Sequence, residues 1–473
     1  MGVNKKFLLL AVIILGMQTE SYGQKYQNVT KEEKINISNL TSGNGVDIIA
    51  GNNQKTEVTF IKDSVIEVNG GTGIKYNIYK DANGKNKVTN KGEIKVLKGT
   101  GIDLYANSNS FVDAKNEFYN GSDTEEGKIT VSGGTGITLN SKNSHVINEA
   151  KGKIEILDET GISLKNSSST ITNKGEIKVS KGTGILQTAG TVENKGEIKV
   201  SKGTGILQKG GTVNTTGTIL AIGGTGIIIE GGTTNNGGNI EASNGKSGIS
   251  LNGTGTFNNS FTDSEGKIQA GIIKVSGVNS KGIHFEVNGG TANNTGTIEV
   301  SNGALGAYFN STKEANFNNL GEIKVSEAVV VEGKDSNNNP VNNIVSSKGV
   351  MLNSKGIFTN GKIISKDTGK EISNIIVTDG AVGVHVNNKE AIFNNLGIVN
   401  VSGIKELGDV DKNCDGKIDK VEKDQKATSN GILLNTGTTN NGGKIVVSNQ
   451  GTGIYLNGTG TFNNSFTDSE GKI

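Results

Sequence analysis

A glycine repeat with a fixed spacing is the feature that most constrains this chain. The phrase NKGEIKVSKGTGILQ begins at Asn173 and recurs without change from Asn194. The Gly-x-Ile glycines Gly175, Gly196 and Gly217 follow one another at intervals of 21 residues. A constant period of this size is typical of solenoids, in which each repeat stacks on its neighbours and buries a shared core.

Each repeat contains the pattern of three short strands. Ile177 and Val179 alternate with Glu176 and Lys178, so apolar and charged side chains point to opposite faces of the first strand. The second strand reads Gly-Thr-Gly-Ile-x-Leu, and glycine at the corners permits the positive φ angles of sharp bends. The third strand contributes one apolar residue per coil, at Ile171, Val192, Val213, Phe257, Phe317 and Phe393. We therefore predict an all-β fold, a parallel β-helix of roughly 21-residue coils with inserted loops.

An asparagine stands two residues before the repeat glycine in many coils. These residues are Asn173, Asn194, Asn236, Asn319, Asn395 and Asn441. Stacked coils would place them one above another, so the sequence predicts a ladder of hydrogen-bonded asparagine side chains.

The N-terminal residues 1–23 have the pattern of a secretory signal peptide. Lys5 and Lys6 precede the apolar segment FLLLAVIILGM, and Ser21-Tyr22-Gly23 places small residues suitably for cleavage before Gln24. We therefore expect an exported protein. No later segment is long and apolar enough to predict a transmembrane helix.

The rest of the chain is divided into segments by where the repeat is regular and where it is interrupted. The predicted parts are an N-terminal capping region at 24–65, a β-helix at 66–399, an inserted loop at 400–430 and a β-helix continuation at 431–473. Residues 231–268 recur nearly intact at 436–473, and the second copy stops in the middle of a strand. We therefore expect a chain truncated from a longer protein, and the alternative is a naturally short secreted protein with an unusual end.

The composition excludes several classes of function. The formal net charge is only +2, there is no arginine, and no basic stripe is present, which argues against nucleic-acid binding. The single cysteine, Cys414, excludes an intramolecular disulfide framework. His145, His284 and His385 lie in separate coils without His or Cys neighbours, so we predict no catalytic or metal role for them.

The repeated phrase NKGEIKVSKGTGI, following a signal sequence, resembles the passenger domains of bacterial type V autotransporters, particularly their Asn/Lys/Ile-rich adhesins. The resemblance covers roughly residues 66–473. It implies a β-helical rod at the bacterial cell surface, in the outer membrane or secreted, together with an outer-membrane β-barrel translocator in the full-length protein. We expect this chain to stop before that barrel, because no series of aromatic-girdled strands closes it.

The segment DKNCDGKIDKVE, residues 411–422, fits the calcium-loop pattern D-x-[DN]-x-[DN]-G-x5-E at every position. The predicted ligands of one Ca²⁺ ion are Asp411, Asn413, Asp415, the Lys417 carbonyl, Asp419 and Glu422. Gly416 would form the sharp turn. The resemblance to an EF-hand covers the loop alone, because the flanking segments are too short for its helices. The alternative interpretation is an acidic surface loop.

Two classes of function remain open from the sequence. The first is a non-enzymatic adhesin or structural rod that binds a host or bacterial surface receptor or glycan. Its binding side chains would lie on inserted loops or on a long β-face. The expected loops are the expanded segments of the repeat, at 103–126, 326–360, 364–380 and 400–430. The alternative is a β-helical polysaccharide lyase or glycosidase. The lack of arginine argues against a lyase, and a glycosidase stays open because carboxylate pairs in space are not visible in a sequence.

Overall fold

The computed structural model describes residues 24–27, 30–33, 35–50, 56–78, 86–106, 116–263, 265–361, 373–414, 417–418 and 422–464. The predicted signal peptide and the predicted interrupted strand at 465–473 lie outside these described residues. Within them the chain forms strands and no helix. Strands of successive coils pair in parallel and in register, as Ile177 does with Ile198 and Ile198 with Ile219. The predicted parallel β-helix is therefore confirmed.

Three strand faces wrap the core, and four long strands pass from one face to the next. Face 1 contains the Glu-Ile-Lys-Val strands of the repeat. Its strands are Asn36–Leu40, the first part of Val65–Ile78 and of Glu93–Ala106, Gly127–Val131, Gly152–Ile156, Glu176–Val179, Glu197–Val200, Thr218–Ile222, Asn239–Ser243, Ile272–Ser276, Thr297–Ser301, Glu322–Val325, Asn374–Val377, Ile398–Ser402 and Lys444–Ser448.

Face 2 contains the Thr-Gly-Ile strands. Its strands are Gln24–Gln27, Asn44–Ala50, the second part of Val65–Ile78 and of Glu93–Ala106, Thr135–Leu139, Thr160–Leu164, Thr183–Gln187, Thr204–Gln208, Thr225–Ile229, Ser247–Leu251, Lys281–Phe285, Leu305–Phe309, Lys348–Leu352, the first part of Val382–Asn395 and of Asn430–Asn441, and Thr452–Leu456.

Face 3 contains strands most of which end in asparagine. Its strands are Thr30–Glu33, Glu57–Phe60, Asn86–Asn90, Asn116–Asn120, Ser144–Asn148, Thr170–Asn173, Thr191–Asn194, Thr212–Thr215, Thr233–Asn236, Thr256–Asn258, Gly290–Asn294, Ala315–Asn319, Gly356–Asn360, the second part of Val382–Asn395 and of Asn430–Asn441, and Thr461–Asn463.

The parallel stacking also includes the segment expected to form an N-terminal cap. Gln24–Gln27 pairs in parallel with Asn44–Ala50, and Thr30–Glu33 pairs in parallel with Glu57–Phe60. These four strands therefore stack in the same parallel manner as the coils that follow them.

The core is a column of inward side chains from all three faces. Ile177 and Val179 of face 1 and Ile185 of face 2 have no exposed area. Each such side chain contributes about 1.5–3 kcal/mol of burial free energy. The predicted third-strand residues are also fully buried, and Phe317, Phe358 and Phe393 stack with ring centroids 5.1 Å apart. One apolar core therefore runs along the rod.

Glycine is required in the repeat for two different physical reasons. Gly203 has the positive φ that the sequence predicted for corners, at 84°. Gly196 does not have a positive φ, and the close stacking of neighbouring coils explains why this position is glycine. A Cβ atom built there would lie 2.2 Å from the carbonyl oxygen of Gly175 in the preceding coil. Close coil spacing, as well as bending, therefore requires glycine in the repeat.

The predicted asparagine ladder is confirmed. Asn173 Nδ2 donates to Asn194 Oδ1 at 2.8 Å, and Asn319 Nδ2 donates to Asn360 Oδ1 at 2.8 Å. One run connects Asn90, Asn120, Asn148, Asn173 and Asn194, and a second connects Asn236, Asn259, Asn294, Asn319, Asn360, Asn395, Asn441 and Asn464. The first run ends at Thr215, whose hydroxyl oxygen accepts from Asn194.

Replacing Asn319 by Ala is expected to destabilise the rod. The change removes the acceptor of Asn294 and the donor to Asn360 in a fully buried position. A buried polar group without a partner costs about 1–3 kcal/mol. The free energy of unfolding in urea measures the loss. Asn318→Ala is the matched control, because Asn318 lies in a partly exposed outer ladder with Asn293. Equal losses from the two variants would contradict a special role for the buried ladder.

Candidate functional site

Two inserted hairpins interrupt the repeat at the corner between face 1 and face 2. The first pairs Ala328–Lys334 with Pro340–Ser346, and the second pairs Ile404–Gly408 with Gln425–Thr428, both antiparallel. They lie within the expanded segments 326–360 and 400–430 that the sequence singled out. We call the two hairpins together the corner projection. Parts of the other two expanded segments, residues 107–115 and 364–372, lie outside the described residues.

One regular coil separates the two hairpins, and both pack against its short corner, residues 378–381. The Ala328 amide donates to the Asp379 carbonyl at 3.0 Å. On the other side, Gly380 has φ of 77°, and a Cβ atom there would lie 2.6 Å from Cβ of Ala427. The regular corner therefore forms a common base for the corner projection.

Asn342 connects the two hairpins directly. Its side-chain amide donates to the Asp411 carbonyl at 2.7 Å, and its backbone amide donates to the Lys412 carbonyl at 2.8 Å. These acceptors are the first two residues of the predicted calcium loop. Residues 69 positions apart in the chain thus hold the loop in place.

The structure brings the first and last residues of the predicted calcium loop together. Glu422 is only 4% exposed, and its Oε1 accepts from the Lys412 amide at 2.9 Å. The Val410 amide donates to the Glu422 carbonyl at 2.9 Å. The loop is therefore closed by hydrogen bonds at its base, with a buried carboxylate next to residue 412.

Four of the six predicted ligands belong to the described residues. These are Asp411, Asn413, Lys417 and Glu422, whereas Asp415, Asp419 and the turn residue Gly416 lie outside. Within the described part of the chain, no group of three or more His, Cys, Asp and Glu side chains could hold a metal ion. The donor set is composed of oxygen atoms, which suits a hard cation such as Ca²⁺. The buried Glu422 carboxylate and the closed loop base are compatible with that ion.

Cys414 lies inside the loop at a position that the pattern does not use for ligands. Its backbone has a positive φ of 55°, and its Sγ lies 3.9 Å from the Asp411 carbonyl oxygen. Desolvation raises the pKa of the thiol, and the negative charges of Asp411, Glu332 and Glu422 raise it further. A raised pKa keeps the side chain as a neutral thiol, which is a poor nucleophile.

The three histidines lie on separate coils. His145 forms a hydrogen bond with the Thr172 hydroxyl at 2.8 Å, and His385 Nε2 lies 3.1 Å from Asn435 Nδ2. His284 stacks on Tyr308 with ring centroids 5.4 Å apart. Desolvation lowers the pKa of His284 and of His385 to about 4. Both imidazoles are therefore neutral at pH 7.

A shallow hollow of about 440 Å³ lies at the edge of face 1. Its lining includes Glu126, Glu176 and Glu197, together with Lys153 and Lys174. Lys153 Nζ lies 2.8 Å from Glu126 Oε2. Carboxylates and ammonium groups alternate along this surface, as is typical of a solvated sheet face with paired charges.

Two features of the inserted segments were not predicted from the sequence. The first is the contact between Asn342 and Asp411, which joins two inserted segments that share no sequence pattern. The second missed feature is a hairpin at the corner between faces 3 and 1, where Ser260–Thr262 pairs with Ile268–Ala270. A longer interval before Gly271 was the only available signal, because this segment has no distinctive motif.

No family model, no curated protein and no solved structure matches this chain. A helix long and apolar enough to cross a membrane is not found among the described residues.

Asn342→Ala is expected to loosen the corner projection without unfolding the rod. It removes the side-chain bond to Asp411, and a hydrogen bond contributes about 0.5–1.5 kcal/mol net. Hydrogen exchange of amides in residues 404–428 should therefore accelerate by roughly 2- to 10-fold. Asn343→Ala is the control, because the neighbouring Asn343 is exposed. Unchanged exchange in the Asn342 variant would show that the backbone bond to Lys412 suffices.

Proposed function

We propose that this chain is an exported β-helical rod, displayed on a bacterial surface or secreted, that mediates attachment through the corner projection. The observation that supports this proposal best is the joining of two separate insertions at one corner of a regular scaffold. Loops on a rigid scaffold are where binding side chains concentrate, whereas repetitive faces are occupied by stacking. The partner is a receptor or glycan on a host or bacterial cell.

Export of this rod is proposed from the residue 1–23 pattern, and the autotransporter resemblance adds an outer-membrane translocator in the full-length protein. A long rod holds a binding corner away from the cell that carries it. The corner projection lies where faces 1 and 2 meet, so it extends sideways from the stack. This arrangement suits contact with a second surface and needs no catalytic group.

In this proposal, a calcium ion orders the tip of the second hairpin. The residues that would hold it are Asp411, Asn413, Asp415, the Lys417 carbonyl, Asp419 and Glu422. Support comes from the buried Glu422 carboxylate and from the loop base that the Val410 and Lys412 amides close. The ion would neutralise the loop carboxylates and cross-link them. The attachment surface would then depend on extracellular calcium.

Replacing both hairpins of the corner projection by a regular corner should abolish attachment. The coil between them supplies the replacement, Thr378-Asp379-Gly380-Ala381, which already joins face 1 to face 2. Beads coated with residues 24–473 or with the variant are counted on host and bacterial cells. The control replaces the hairpin at 260–270 by a short turn. Attachment that survives in the variant and falls in the control would place binding elsewhere.

Calcium titration by calorimetry should give one binding event for the full chain. Extracellular sites of this kind have a Kd of about 0.1–1 mM. Asp411→Ala and Glu422→Ala should each remove the heat, because each deletes a carboxylate from the ion. Asp335→Ala is the control, since Asp335 lies at the turn of the other hairpin and its carboxylate accepts the Asn337 and Asn339 amides. Absence of heat at several millimolar Ca²⁺ would reject the site.

A further inference from the structure

The outward side of face 2 carries a column of large, mostly apolar side chains. In successive coils the same register position is occupied by Tyr308, Met351, His385, Leu433 and Tyr455. We call this column the face 2 stripe. His385 is buried within it, whereas Tyr308, Met351 and Leu433 keep part of their side chains exposed. The stripe extends over five coils, or roughly 20 Å.

The outward positions of the other two faces are more polar than the face 2 stripe. On face 1 the corresponding column contains Lys274, Glu299 and Lys324 in neighbouring coils. On face 3 it contains Asn293 and Asn318. In the five coils of the stripe, the outward column of face 1 contains Glu299, Lys324, Ile376, Asn400 and Val446, of which two are apolar. The face 2 stripe has no charged carboxylate or ammonium group at this position, and so it is more apolar than the matching columns of the other two faces.

A partly exposed asparagine ladder borders one edge of the stripe. Asn387 Nδ2 donates to Asn353 Oδ1 at 2.8 Å, and Asn435 Nδ2 donates to Asn387 Oδ1 at 2.9 Å. The ladder is connected to the stripe itself, since Asn353 Nδ2 lies 3.3 Å from the Tyr308 hydroxyl. Each amide has two donor hydrogens and two acceptor lone pairs. Asn353 and Asn387 each use one donor hydrogen and one lone pair in these bonds and keep one of each for a ligand. Asn435 directs its amide nitrogen to both Asn387 and His385, so its oxygen is the atom left for a ligand.

The corner projection borders the other edge of the stripe. Its first hairpin leads directly into Lys348–Leu352, and its second leads into Asn430–Asn441. Lys348 lies at this edge, where its Nζ donates to the Ser346 carbonyl and desolvation lowers its pKa. The stripe is thus a strip of partly exposed, mostly apolar side chains between an amide ladder and the proposed attachment site.

The width of the stripe decides what kind of partner it fits. It is one side chain wide, whereas a stable protein interface buries about 800 Å² on each partner. A narrow apolar strip with hydrogen-bonding groups along it matches a polymer that is one unit wide. Sugar rings have this character, because one side presents C–H groups and the rim presents hydroxyl groups. Aromatic and apolar side chains pack against the C–H side, and amides bond to the hydroxyls.

We propose that the face 2 stripe binds an extended, ribbon-like glycan with β-1,4-linked pyranose rings. The rings lie on Tyr308, Met351 and Leu433, and their hydroxyl groups bond to Asn353, Asn387 and Asn435. This inference rests on the proposed attachment function and names the chemical class of its receptor.

The test is calorimetry of the full chain, residues 24–473, with cellohexaose, xylohexaose and chitohexaose as probes. At least one hexasaccharide should bind, and Tyr308→Ala and Leu433→Ala should each weaken that binding by about tenfold. Asn387→Ala should also weaken it. Ile376→Ala is the control for an outward apolar residue on face 1, and Asn318→Ala is the control for an asparagine ladder on face 3. Both controls should bind as the unchanged chain does.

Three results would overturn the proposal. The first is no heat with any hexasaccharide at 10 mM, and the second is an equal loss in the control variants. The third is a dimer in sedimentation that Tyr308→Ala abolishes, because the stripe would then belong to a second copy of the chain. Bead attachment separates this inference from the proposed function. Beads that attach while no hexasaccharide binds would reject the glycan and leave the attachment function standing.

Discussion

The stacking of each coil on the previous one is the constraint on which the whole structure depends. Strands in neighbouring coils lie about 4.8 Å apart, so every inward position meets its own equivalent above and below. A buried amide tolerates this because Asn can donate to one neighbour and accept from the other. Asn319 does both, between Asn294 and Asn360. Position 196 requires glycine for the same reason, because a Cβ atom there would clash with the carbonyl oxygen of Gly175 in the preceding coil. The repeat in the sequence is therefore the result of one spacing applied many times.

The same constraint determines where the chain is free to vary. A strand cannot change length without shifting the register of both neighbours, whereas a corner can be extended with no effect on the stack. All three antiparallel hairpins of the described residues lie at corners for this reason. Two of them occupy the same corner with one regular coil between them, and so they can touch through Asn342. A shared corner turns two independent insertions into one structural unit.

Much of the fold could be predicted from the sequence because its contacts are between equivalent residues. The ladder from Asn173 to Asn194 and the buried column of Ile177 and Val179 follow from the period alone. The contact between Asn342 and Asp411 could not be predicted in this way, since it joins two segments outside the period. The positions of the calcium-loop residues could be proposed from their spacing, but the burial of Glu422 depends on how the loop folds over its own base. Periodic contacts are visible in a single sequence, and contacts between insertions are not.

The outward surfaces show where the repeat has been used for something besides stacking. Inward positions are restricted to residues that pack in a column, so they carry little information about function. Outward positions have no such restriction, and most outward residues of faces 1 and 3 are charged or polar, although Ile376 and Val446 of face 1 are apolar. The column from Tyr308 to Leu433 departs from that composition on the face that borders the corner projection. An apolar column that stacking does not require, next to insertions that stacking does not require, is best explained if both contact the same partner.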